Sequence, residues 1–65
     1  MNRIVKIFME RDGMDEYEAK AQYNALKEDV LRYIETQDAD EAFDSACDEL
    51  MLHSLEPDYL DDLLF

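Results

Sequence analysis

Asp38, Asp40, Asp44 and Glu49 stand at positions 1, 3, 7 and 12 of a stretch with the length of a calcium loop. Such a loop also needs an oxygen-bearing side chain at position 5 and a glycine at position 6, where the chain turns sharply. Ala42 and Phe43 occupy those positions, and an apolar period of helical spacing runs through the whole stretch. It reads as helix, not as a metal loop. Zinc is excluded by arithmetic, since one Cys and one His, six residues apart, cannot complete a structural site. Cys47 and His53 also fail as a nucleophile and its base. Cys47 falls on an apolar stripe beside Phe43 and Leu50, where desolvation raises the thiol's pKa and leaves it inert. His53 reads as an exposed imidazole. Paired carboxylates can do acid–base chemistry when a pocket keeps one of them protonated, but a chain this short has little room for one. The expectation is a protein without catalytic residues, metal or cofactor.

What remains is charge. The segment EAFDSACDELMLHSLEPDYLDDLLF contains no Lys or Arg. The chain carries 18 acidic and 6 basic residues, a net charge of −12. Residues 1–32 hold seven acids and six bases, whereas residues 33–65 hold eleven acids and no base. Such a field repels nucleic acid and anionic membrane surfaces and attracts basic proteins. Asp40, Asp44 and Asp48 form a row with helical spacing, and Glu41 lies beside it. Successive carboxylates in the row rise by about 6 Å, comparable to the spacing of phosphates along a nucleic-acid strand. A rigid helix with this row can sit where a protein's Lys and Arg would otherwise grip phosphates. Asp58, Asp61 and Asp62 form a second acidic patch, and Tyr59 could anchor the centre of an interface.

The elements that must hold these residues are helical. In NRIVKIFMERDG, Ile4, Ile7 and Phe8 share a face flanked by Met1 and Val5, and Gly13 sits where a C-cap glycine belongs. A second helix follows in DEYEAKAQYNALKEDVLRYIETQ. Asp15 and Glu18 have capping-box spacing, and Ala19, Tyr23, Leu26, Val30 and Ile34 line one side. Glu16–Lys20 and Glu28–Arg32 supply favourable pairs on the wet side. A third helix starts with Asp38 as cap, and its apolar stripe is Ala39, Ala42, Phe43, Ala46, Cys47 and Leu50. The last segment puts Pro57 at a first helical position, with Leu55 and Leu60 at staple spacing across the start. Leu63, Leu64 and Phe65 read as completing the core, the other reading being a docking peptide. The fold expected is all-α, a bundle of three to four helices forming one domain over residues 1–65.

A chain of this length buries only about 60% of its unfolded surface, so its stability is marginal. The single cysteine rules out an internal disulfide and fits a reducing compartment. Neither a signal-peptide pattern nor a membrane span is apparent, and the expected location is the cytoplasm.

The stretches FMERDGM, EYEA and DELMLHSLEPDYLDDL resemble a loose group of short acidic proteins encoded by phages and prophages of bacteria. The resemblance runs from Phe8 to Leu63 and rests on structural punctuation, not on an active site. His-Ser-Leu-Glu-Pro departs from the Gly-Leu-Glu-Pro expected in that group, which puts the turn there in question. The resemblance implies a host bacterial cell and a mobile-element setting, where small acidic proteins often block CRISPR nucleases or restriction enzymes. The function expected is a non-enzymatic inhibitor that mimics nucleic acid. It would occupy the basic groove of a nucleic-acid-binding nuclease or regulator through Asp40, Glu41, Asp44, Asp48, Asp58, Tyr59, Asp61 and Asp62. The competing expectation is a small helical adaptor or homodimer that binds through an apolar face, its acids serving only solubility.

Overall fold

The computed structural model describes residues 2–64 and contains four α-helices and no strand among them. They are α1 (Arg3–Glu10), α2 (Glu16–Thr36), α3 (Ala39–Leu52) and α4 (Leu60–Leu64), with a 3-10 turn at Pro57–Tyr59 leading into the last. The protein is the small all-α bundle that the periodicities require. Met1, expected to flank the apolar face of the first helix, and Phe65, expected to complete the core, lie outside the described residues.

Local chemistry explains most boundaries. Asn2 caps α1 by accepting a hydrogen bond from the Ile4 amide at 2.8 Å. Asp15 caps α2 by accepting from the Glu18 amide at 2.7 Å, the forward half of the expected capping box. Asp38 adopts the extended backbone of an N-cap, but its side chain makes no capping hydrogen bond. The exposed carboxylate still complements the positive end of α3 without that bond. Gly13 is not the C-cap of α1. The helix ends at Glu10 with Arg11 as cap, and Gly13 follows in a left-handed turn at φ 71°, where the Met14 amide returns to the Phe8 carbonyl at 3.1 Å.

The end of α3 is a Schellman motif built around a serine. Ser54 has φ 57°, its amide donates to the Met51 carbonyl at 2.9 Å, and the Leu55 amide donates to the Leu50 carbonyl at 2.9 Å. The apolar contact that accompanies this motif is present, since Leu50 and Leu55 are both buried in the core. The turn is therefore the glycine-type turn, made without glycine.

The core gathers Ile4, Val5 and Phe8 of α1, Ala19, Leu26 and Val30 of α2, Ala42, Ala46 and Leu50 of α3, and Leu55 and Leu63. Removing a side chain such as Leu26 or Leu50 would cost about 2–5 kcal/mol, a large share of what a domain this size has. Three expected core positions fall outside it. Ile34 and Phe43 are largely exposed, as is Ala39. The reason is length: α2 has 21 residues, while α1 has 8 and α4 only 5, so the short neighbours leave the Ile34 side of the last turn of α2 half open among the described residues. The ion pair at the middle of α2 also differs from the expectation. Arg32 pairs with Asp29 at 2.7 Å instead of with Glu28, and Glu16–Lys20 forms as expected at 3.0 Å.

Candidate interaction surface

Helix α3 is fixed at its back and at its far end before its outer face is considered. Ser45 Oγ donates to Gln37 Oε1 at 2.8 Å, and the Tyr33 hydroxyl donates to Glu49 Oε2 at 3.3 Å, which ties its back to α2. Burial and then the Glu49 charge push the Tyr33 hydroxyl's pKa up. At the far end, Arg11 donates to the carbonyls of His53 and Ser54 at 2.8 and 2.9 Å. A guanidinium there satisfies carbonyls that the helix leaves open and meets the negative end of its dipole.

On the side turned to water, Asp40, Glu41, Asp44 and Asp48 are all exposed. The four ion pairs among the described residues join Arg3 to Asp62, Arg11 to Asp12, Lys20 to Glu16 and Arg32 to Asp29. None of them reaches α3. The row expected from spacing thus stands on a continuous 14-residue helix, without a neutralising partner.

The second patch is different. Arg3 reaches Asp62 with two hydrogen bonds, Nε to Oδ2 at 2.7 Å and Nη2 to Oδ1 at 3.1 Å. Its guanidinium lies 4.8 Å from the centre of the Tyr59 ring. Its pKa is raised, chiefly by the bond to Asp62, with Tyr59 and Asp58 adding to it. The Asp62 backbone carbonyl also accepts from Asn2 Nδ2 at 2.8 Å and from the Tyr23 hydroxyl at 2.9 Å. Asp62 and Tyr59 therefore hold the C-terminal segment onto α1 and α2, and Asp58 shares the field of Arg3. Asp58 and Asp61 remain exposed. Leu63 is fully buried, in keeping with the core reading of this segment.

His53 is half-buried instead of exposed. Its ring meets Phe8 edge-on with 6.0 Å between centroids, and Nδ1 lies 3.3 Å from Gln22 Nε2. Cys47 is half-buried with its thiol pKa raised, first by burial and then by Asp44 and Asp48. A thiol held protonated is a poor nucleophile. Among the described residues no three His, Cys, Asp or Glu side chains converge as a metal site would require. No helix there is long and apolar enough to cross a membrane.

The feature that periodicity concealed is an apolar groove beside the acidic row. Val30 and Ile34 of α2, Phe43 and Ala46 of α3, and Leu60 and Leu64 of α4 line a depression of about 290 Å³. Ile34 is 47% and Phe43 55% exposed. Spacing alone places both on the apolar stripes of their helices. The signal that could have separated them is the shortness of the last apolar segment, which cannot cover the end of a helix as long as α2.

No protein-family model, curated protein or solved structure matches the chain at a significant level.

Proposed function

We propose that this protein is a non-enzymatic inhibitor whose α3 row substitutes for a run of phosphates and binds a basic, nucleic-acid-binding surface of another protein. The observation that carries the reading is that, among the described residues, no ion pair reaches Asp40, Glu41, Asp44 or Asp48, whereas the longer helix α2 pairs two of its acids, Glu16 and Asp29. A row left uncompensated on a rigid helix costs self-repulsion in the free protein and is relieved when a cationic partner arrives. The resemblance to short acidic phage proteins favours a bacterial nuclease of the CRISPR or restriction type as that partner. Asp58 and Asp61 are peripheral contributors in this reading, and Asp62 and Tyr59 hold the scaffold.

The test is capture from a bacterial lysate on the immobilised chain, followed by elution with increasing salt and competition with a DNA duplex. A nucleic-acid-binding protein released by both treatments is the expected result. Recovery of only proteins that DNA does not displace would discard the phosphate-mimic reading. The exposed groove favours the adaptor as second reading. That reading calls for a partner whose binding is insensitive to salt.

A further inference from the structure

The groove and the acidic row are neighbours on α3, and together they specify a ligand. Phe43 on the groove wall follows Asp40 by three positions and precedes Asp44 by one, so both carboxylates stand within a turn of it. Leu60 and Leu64 close the groove on the α4 side, with exposed Asp61 next to Leu60. Neither α3 nor α4 contains a base. On the adjoining half of α2, Arg32 is already paired with Asp29, and Lys27, three positions before Val30, is a lone base against the exposed acids of α3 and α4. An apolar floor is thus bordered by negative charge.

Four occupants fit this groove badly. A second copy of the chain brings its own net charge of −12 to the same place. An acidic peptide is repelled for the same reason. A small metabolite finds about 290 Å³, just below the roughly 300–1,000 Å³ typical of such sites. A basic segment without apolar side chains would leave Ile34 and Phe43 in water. We infer that the groove takes the apolar side chains of a basic amphipathic helix on the partner, while that helix's Lys and Arg meet Asp40 and Asp44. This rests on the proposed approach of α3 to a basic protein and adds the anchor that fixes its register. Charge brings the partner in quickly and without much discrimination, whereas an apolar knob in a groove selects one segment.

The test uses two fluorescein-labelled peptides of identical Leu and Lys content, about 18 residues long so that a helix can form. One places Leu at i, i+3, i+4 and i+7. The other is a scramble with no apolar face. Fluorescence anisotropy with the full chain should show the amphipathic peptide binding about tenfold tighter or more, some 1.4 kcal/mol. The variant Ile34→Ser/Phe43→Ser should remove that advantage and leave the scramble unchanged. Both positions are exposed, and circular dichroism checks that the helices persist. Asp40→Asn/Asp44→Asn should weaken both peptides. Equal binding of the two peptides, unaffected by the groove variant, would overturn the inference and leave the charge reading standing. Indifference of both peptides to the Asp variant would overturn the inference together with the reading beneath it. A salt-promoted dimer in sedimentation equilibrium that Ile34→Ser/Phe43→Ser abolishes would give the groove to a second copy. Binding that appears only in Phe65→Ala would give it to the chain's own last residue. Either result overturns the inference.

Discussion

Arg11 and Asp12, adjacent in sequence, form a two-bond pair at 2.8 and 3.0 Å, and Arg11 uses its remaining donors on the backbone at the end of α3. The bond to Asp12 is the main cause that raises the Arg11 pKa, and the bond to Arg11 is the main cause that lowers the Asp12 pKa. The segments MERDG and HSLEP, which read as separate punctuation, are two halves of one joint. Asp12 orients the guanidinium, and the guanidinium holds the turn in which Ser54 is forced to a positive φ.

Ser54→Gly should stabilise the protein. At φ 57° a side chain is strained, while glycine adopts this conformation without penalty. Part of the gain is lost to the greater freedom of glycine in the unfolded chain, leaving a net of about 0.5–1 kcal/mol. A thermal melt should move up by about 2–8 °C. An unchanged or lower midpoint would mean that contacts of the Ser54 side chain outweigh the strain.

Tyr23→Phe removes the hydroxyl that donates to the Asp62 carbonyl at 2.9 Å and keeps the ring. The expected loss is about 0.5–1.5 kcal/mol, and limited proteolysis should cut the segment after Glu56 faster. Arg3→Ala should act in the same direction. Proteolysis at the wild-type rate in both variants would show that Leu55 and Leu63 suffice to hold the segment.

Alkaline pH should destabilise the fold through Cys47 and Tyr33. Both have raised pKa values when folded, so as pH climbs the unfolded chain releases these protons first. Their contribution is whole below the ordinary values of 9.0 and 10.0 and is lost as pH rises through the folded ones. The melting midpoint should therefore drop as pH rises through the ordinary thiol value of 9.0 and further beyond the ordinary tyrosine value of 10.0, and Cys47→Ala/Tyr33→Phe should flatten the drop. An equally steep fall in that variant would place the cause elsewhere.

Salt should raise stability. The eleven acids of residues 33–65 repel one another, and among the described residues only Asp62 finds a base. Screening shortens to about 8 Å at physiological ionic strength, so the melting midpoint should climb from low to moderate salt. A flat profile would mean that the acids stand too far apart to interact.

Replacing Asp40, Asp44 and Asp48 together by Asn should weaken binding to the captured partner by about tenfold or more without harming the fold, because all three are exposed. The matched control is Glu16, Glu28 and Asp29 to their amides on α2, where Lys20 and Arg32 already pair with two of the three. Equal losses from both variants would mean that net charge alone drives association. Full binding by both would leave only the apolar groove as a contact.

The helices were legible because Ala19, Leu26 and Val30, and then Ala42, Ala46 and Leu50, repeat at intervals that only a helix brings to one face. The acidic row was legible for the same reason, since residues three and four apart on a helix stay neighbours whatever surrounds them. Tertiary partners were not. Nothing in the spacing says that Arg3 crosses to Asp62, because that contact depends on how α4 folds back, not on any local preference. Periodicity likewise marks a face as apolar without saying how much of it is covered. Ile34 and Phe43 belong to their stripes and still look out on water.

The clasp at Arg3, Asn2 and Asp62 brings the two ends of the described chain within hydrogen-bonding reach of each other. The path is therefore nearly a closed ring, and its order along the chain is partly arbitrary. A short linker across that junction, with new ends opened in the exposed turn at Arg11–Gly13 or at Gln37–Asp38, should yield a circularly permuted protein of the same shape. The first cut severs the joint that holds Ser54, and the second leaves it whole, so the two permutants rank the turns by how much each holds together.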